Sequence, residues 1–107
     1  MNINMYQQLA ARTINPANSQ IQTLLHALHG MSAEVGEIHG IYQKSYQGHE
    51  VDENDLKSEL GDLLWFCAEY CTAQGWDMEQ IANMNIEKLR ARYPKGFSAE
   101  RSLHREQ

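Results

Sequence analysis

The repeat of apolar side chains in two long segments constrains the fold of this chain more than any other feature. The first segment carries six of them at intervals of 4-3-4-3-4: Leu24, Leu28, Met31, Val35, Ile38 and Tyr42. The second carries a similar stripe: Leu56, Leu60, Leu63, Cys67, Tyr70 and Cys71. This spacing places each set on one side of an α-helix that packs in a bundle. With no strand pattern elsewhere, the sequence predicts an all-α fold.

Helix caps and breakers divide the chain into four predicted helices. A short helix covers residues 2–13 and ends before Pro16, because the residue preceding proline disfavours helical geometry. Asn18 or Ser19 is expected to cap the second helix, which runs to about residue 46.

The third and fourth predicted helices have their own end signals. Asp52 begins the third helix, which continues to about residue 74 and stops at Gly75. Asp77 with Gln80 predicts a capping box for the fourth, which ends before Pro94. Because a short turn joins the two long helices, we expect them to pack antiparallel.

Length and charge limit the function classes. The 107 residues suit one domain, residues 1–107, whose tail from about residue 98 is expected to be only partly ordered. A net charge of −5 argues against binding a nucleic-acid polymer. Residues 1–14 lack the pattern of a signal peptide, and the longest apolar run, residues 63–68, is too short to cross a membrane. A cytoplasmic protein without membrane partners is predicted.

Two acidic pairs lie on the flanks of the apolar stripes. Glu34 and Glu37 belong to the second helix, and Glu59 and Asp62 to the third. Antiparallel packing lets the pairs face each other, where two carboxylates about 6 Å apart repel by roughly 3 kcal/mol at an effective dielectric near 20. Four such groups either take up protons or bind divalent cations, and oxygen ligands favour Mg²⁺, with Mn²⁺ as a substitute.

Three polar residues of the fourth helix form a stripe beside its apolar face: Asn85, Lys88 and Arg92. The two cations could neutralise substrate phosphates that Mg²⁺ bridges, or could simply complement the helix dipole. Ala27 and Gly30, on the flank of Glu34, are expected to leave room for a sugar or base.

The sequence also contains residues that could form another metal site or a subunit interface. Four residues could be drawn as a zinc site: His26, His29, Cys67 and Cys71. This site is disfavoured, because the cysteines fall on the apolar stripe of the third helix, whereas His29 points away from the apolar stripe of the second. A di-iron bundle would need Glu-x-x-His pairs, which the sequence lacks. The apolar zone widens around Trp65 and Phe66, which predicts a subunit interface there.

The order of these motifs resembles the MazG-like all-α nucleoside triphosphate pyrophosphohydrolases. Glu34-x-x-Glu37 is followed, after 21 residues, by Glu59-x-x-Asp62, and the segment at residues 85–97 resembles the one that closes the core of that family. The resemblance covers residues 24–97. The family often has Glu-Glu at the start of the first motif, whereas here Ala33 precedes Glu34.

The resemblance implies a four-helix bundle completed by oligomerisation into a homodimer or homotetramer. It also implies Mg²⁺-dependent cleavage of a nucleoside triphosphate between its α- and β-phosphates, in a house-cleaning or nucleotide-pool role. Carried over, the four acids would bind Mg²⁺ and act in catalysis, while Asn85, Lys88 and Arg92 would contact the substrate. The alternatives are a nucleotide-binding or interaction module without catalysis, and a structural bundle whose acids are merely solvated.

Overall fold

The computed structural model describes residues 1–104, which form five helices and no β-strand. The helices are α1 (Ile3–Ala11), α2 (Gln20–Ser45), α3 (Glu53–Gln74), α4 (Met78–Arg92) and α5 (Ala99–Leu103). The predicted all-α class and its four helices are confirmed. The short α5 lies in the tail, where the sequence pattern predicts no helix, and residues 105–107 of that tail lie outside the described residues.

Local capping sets the ends of the two long helices. Ser19 Oγ accepts from the Gln22 backbone N–H at 3.2 Å, and Gln22 Oε1 accepts from the Ser19 N–H at 2.9 Å. This capping box confirms Ser19 as one of the two predicted caps of α2. The predicted stop of α3 is also confirmed, because Gly75 adopts a φ of 75°, a left-handed conformation that favours glycine.

α2 and α3 form an antiparallel hairpin, which is the main packing interface of the described chain. The Gln20 side chain, at the start of α2, donates to the carbonyl of Ala73 near the end of α3 at 2.9 Å. Farther along, Gly30 lies against the ring of Phe66. These pairs show that the two helices run in opposite directions, as predicted.

The most deeply buried side of α2 differs in part from the predicted apolar stripe. Thr23 and Ala27 are buried, whereas Leu28, Val35 and Tyr42 of the predicted stripe are 42–50% exposed. Small residues face α3 because its aromatic side chains occupy the space between the helices. The register prediction for α2 is therefore wrong for Leu28, Val35 and Tyr42, which face outward. The other three residues of the stripe are partly buried: Leu24, Met31 and Ile38.

α1 lies across the end of the hairpin and links it to α4. A cluster of buried side chains joins these helices: Ala10, Ala68, Cys71 and Met78. Gln7 adds hydrogen bonds, accepting from the Met78 backbone N–H and donating to the Trp76 carbonyl, both at 2.8 Å. Asp77 makes no side-chain capping bond, so the predicted capping box is wrong. The distant Gln7 satisfies the start of α4 instead.

α4 extends away from the hairpin. Its main packing partner is α1, and Met78 is its only buried residue. Four apolar side chains of α4 are 38–63% exposed: Ile81, Met84, Ile86 and Leu89. The radius of gyration of 17.2 Å exceeds the ~13 Å expected for a compact domain of this length. The described chain thus leaves the apolar face of α4 uncovered.

Candidate active site

Three of the four predicted acidic residues converge on one side of the α2–α3 hairpin. Glu59 and Asp62 are three residues apart on α3 and share a face, and the antiparallel packing brings Glu34 of α2 opposite them. One carboxylate oxygen from each residue lies within 4.8 Å of the other two. Glu37 lies outside this group, although its charge still acts on Glu34. We call Glu34, Glu59 and Asp62 the acidic cluster.

Within the acidic cluster, Glu34 is the residue whose surroundings clearly disfavour the ionised form. Its Oε2 atom is buried and has no hydrogen-bond partner, which is costly for a polar atom. The pKa of Glu34 is raised to about 7, first because it shares a hydrogen bond with Glu59 and then through burial. The negative charges of Glu59, Asp62 and Glu37 raise it further. Without a cation, the acidic cluster therefore tends to hold a proton.

The acidic cluster fits a hard divalent cation. Two oxygens on opposite sides of Mg²⁺, with bonds of about 2.1 Å, lie about 4.2 Å apart. The oxygens of the acidic cluster lie within 4.8 Å of one another, at most about 0.6 Å beyond that value, so small side-chain rotations would close the difference. A cation here would also give Glu34 Oε2 the partner that it lacks.

α1 contributes Tyr6 to the same region, a residue that the sequence does not mark as part of the site. Burial raises the pKa of Tyr6, and the charges of Asp62 and Cys67 raise it further. Its ring also packs against the buried core. One side of the acidic cluster therefore lies close to a phenol from a helix outside the hairpin.

The predicted substrate-binding stripe does not meet the acidic cluster within one chain. Lys88 and Arg92 line a surface groove of about 1090 Å³ between the end of α4 and α5. Lys95 and Arg101 also line it, whereas none of the acidic-cluster residues does. Asn85 is exposed on α4 and lies outside this lining. We call this surface the basic groove.

The predicted room for a sugar or base at Ala27 and Gly30 is absent. Ala27 is fully buried, and a Cβ atom added at Gly30 would lie 2.2 Å from Cε1 of Phe66. The prediction is wrong because Phe66 occupies that space. Glycine at position 30 allows the ring to rest directly on the α2 backbone.

The two aromatic residues around which the subunit interface is predicted make contacts within the chain. Trp65 Nε1 donates to Thr13 Oγ1 at 2.8 Å, and the Trp65 and Phe66 rings meet edge to face with centroids 5.2 Å apart. Both side chains are half-buried. The exposed apolar surface of α3 lies at Leu60 and Leu64, which are 59% and 43% exposed.

A hydrogen-bonded pair beside these rings, formed by the buried Glu69 and the partly exposed His26, was missed by the sequence reasoning. Glu69 is 2% exposed, and both of its carboxylate oxygens contact His26 Nδ1, at 2.8 and 2.9 Å. Helical counting places Glu69 on the same flank of α3 as Glu59 and Asp62, which does not indicate a contact with His26. Its setting between Ala68 and Tyr70 was the available signal, because an acid within an apolar stretch needs a partner.

A protein family matches the segment that carries this site. The profile of the MazG nucleotide pyrophosphohydrolase domain matches residues 22–97, which include every predicted site residue. The chain belongs to this family. Membership supports a hydrolase of the nucleotide pyrophosphohydrolase type. Within the described residues 1–104, no helix has both the length and the apolar character needed to cross a membrane.

One relative resembles the MazG domain along most of its length. The Gene 37 protein of Mycobacterium phage L5 is 29% identical over 105 residues, covering 90% of this chain and 92% of the phage protein. No solved structure matches this MazG domain.

Proposed function

We propose that this MazG domain hydrolyses nucleoside triphosphates between the α- and β-phosphates in the presence of Mg²⁺, releasing a nucleoside monophosphate and pyrophosphate. The supporting observation is the convergence of Glu34, Glu59 and Asp62 around a buried carboxylate oxygen without a hydrogen-bond donor. These residues would hold the ion, Glu37 would add negative charge nearby, and Mn²⁺ is expected to substitute. We expect the enzyme to act in the cytoplasm on free nucleotides rather than on nucleic acids or membranes.

The chemistry follows from these groups. When bound, Mg²⁺ would neutralise the triphosphate and lower the pKa of a coordinated water. A carboxylate oxygen of the acidic cluster accepts the proton of the attacking water. The water oxygen bonds to the α-phosphorus as the bond from that phosphorus to the bridging oxygen breaks, and the electron pair leaves with pyrophosphate. Lys88 and Arg92 would bind the phosphates and stabilise the leaving group.

A second copy of the chain would complete the site. The acidic cluster and the basic groove carry opposite charges and lie on separate surfaces of one chain. The exposed apolar face of α4 would be buried by another copy of the chain, and so would Leu60 and Leu64 of α3. We therefore propose a homodimer or homotetramer in which Asn85, Lys88 and Arg92 of one copy serve the acidic cluster of another.

The activity is tested by supplying a panel of ribo- and deoxynucleoside triphosphates with Mg²⁺ and measuring both pyrophosphate and monophosphate. Glu59→Gln should keep its helical circular dichroism spectrum and lose nearly all hydrolysis, because it removes one charge from the acidic cluster. Glu53→Gln is the matched control, an exposed acid in the first turn of the same helix. Activity of Glu59→Gln within a few-fold of wild type would refute the assignment.

The shared site is tested by mixing two inactive variants. Glu59→Gln and Lys88→Ala should each be inactive alone, and their mixture after subunit exchange should recover activity. Recovery is expected because one mixed pair would contain an intact acidic cluster facing an intact basic groove. A mixture that stays inactive while sedimentation shows mixed oligomers would contradict the shared site.

A further inference from the structure

Glu69 is a buried acid that the proposed reaction does not use. Only 2% of its side chain is exposed, and its two oxygens lie 2.8 and 2.9 Å from His26 Nδ1. Both carboxylate oxygens face the same ring nitrogen, and we therefore assign the proton of this hydrogen bond to His26 Nδ1, with Glu69 as the acceptor. The Glu69 carboxylate therefore fixes the orientation of the His26 ring.

This orientation leaves the other ring nitrogen free to act. The His26 side chain is 54% exposed, and Nε2 lies on the opposite side of the ring from the bonded Nδ1. Two aromatic rings flank the imidazole, with Trp65 centred 6.4 Å away and Phe66 5.6 Å away. A polar atom is thus held in a defined position beside an aromatic surface.

The His26 ring and the acidic cluster lie on one strip of the hairpin. His26, Gly30 and Glu34 follow one another at intervals of four on α2 and so share a side of the helix. His26 is about 12 Å from Glu34 along the axis, at a rise of about 1.5 Å per residue. Phe66, which fills the space over Gly30, lies between the two, so a ligand on this strip would contact the Phe66 ring and not the α2 backbone. This separation is similar to the length of a nucleoside.

We propose that this strip binds the nucleoside part of the substrate, with its base against Phe66 and Trp65 and hydrogen-bonded to His26 Nε2. The proposal rests on the proposed function, which places the triphosphate at the acidic cluster. Aromatic rings stack on any base, whereas a fixed hydrogen-bonding atom distinguishes one base edge from another. His26 is thus a specificity-determining residue, and Glu69 is the positioning residue that holds it.

His26→Asn separates this role from a structural one. The asparagine amide nitrogen occupies about the position of Nδ1, so it can still donate to Glu69, while the outward Nε2 is lost. His29→Asn is the matched control, an exposed histidine three residues later on the same helix. Steady-state kinetics and calorimetric binding are measured for triphosphates of all four bases, with thermal unfolding in parallel.

For His26→Asn we expect KM and Kd of the best substrate to rise about tenfold, the order of magnitude for the loss of one hydrogen bond, with little change in kcat. The preference among bases should shrink, and His29→Asn should change neither quantity. Unchanged base preference and affinity in His26→Asn would overturn the proposal, whether or not its melting temperature falls. If wild type binds nucleotides by base but hydrolyses none, the proposed activity fails while the base contact stands. If it binds none, both fail.

Discussion

The contact between Gly30 and Phe66 allows a substitution whose sign can be worked out from the structure. Gly30→Ala adds a methyl group whose carbon would lie 2.2–2.4 Å from three atoms of the Phe66 ring. Carbon atoms do not approach so closely, so the ring or the α2 backbone must move. The ring cannot retreat freely, because it also packs against Trp65 and His26. Overpacking of this kind costs about 1–3 kcal/mol.

Alanine also favours the helix, and this gain must be subtracted. Replacing glycine by alanine inside a helix stabilises it by about 1 kcal/mol. Gly36 lies on the same helix with nothing within 4 Å of its added Cβ, so Gly36→Ala should show that gain alone. Gly30→Ala should therefore be about 1–3 kcal/mol less stable than Gly36→Ala, and equal to or less stable than wild type.

Urea unfolding followed by circular dichroism, at one protein concentration, measures both variants. Equal slopes with different midpoints would show that stability alone has changed. A second substitution checks the cause, because Phe66→Leu should harm the Gly30→Ala variant less than it harms wild type. If Gly30→Ala is as stable as Gly36→Ala, the proposed packing of Phe66 on the α2 backbone is refuted.

The remaining predictions concern pH and the docking of α4. In metal-free protein the pKa of Glu34 is raised from 4.5 to about 7. Protonated Glu34 therefore stabilises the folded state fully below about pH 4.5, and this stabilisation is lost as the pH rises through 7. The melting temperature of wild type relative to Glu34→Gln should fall over that interval, and a constant difference would contradict the shift. Gln7→Ala should lower the free energy of unfolding by about 1–3 kcal/mol, because the Met78 N–H loses its acceptor. The exposed Gln8→Ala should change it by less than about 0.5 kcal/mol, and urea titration compares the two.

Features fixed by neighbouring residues could be predicted from the sequence. The Ser19 cap and the Gly75 stop depend on contacts within a few positions, so composition and spacing reveal them. The meeting of Glu34 with Glu59 and Asp62 was also predictable, because a short turn between two long helices leaves few ways to pack them.

Features fixed by distant residues could not be predicted in this way. Periodicity identifies an apolar stripe but does not say whether another helix or another molecule covers it, and the outward-facing Leu28 is an example. The start of α4 is satisfied by Gln7, 71 positions earlier, and no local signal announces that bond. The contact between His26 and Glu69, 43 positions apart, was hidden for the same reason.

The position of α1 has a consequence for how the chain acquires its structure during synthesis. α1 emerges from the ribosome before α2, α3 and α4, yet the buried partners of Ala10 are Ala68, Cys71 and Met78, which are made much later. The α2–α3 hairpin closes through nearer contacts and can form early, whereas docking of α1 must close a far longer loop. Pulse-labelled hydrogen exchange during refolding should therefore protect the amides of α2 and α3 before those of α1. α1 would thus be synthesised before the α2–α3 hairpin and would dock after that hairpin has formed.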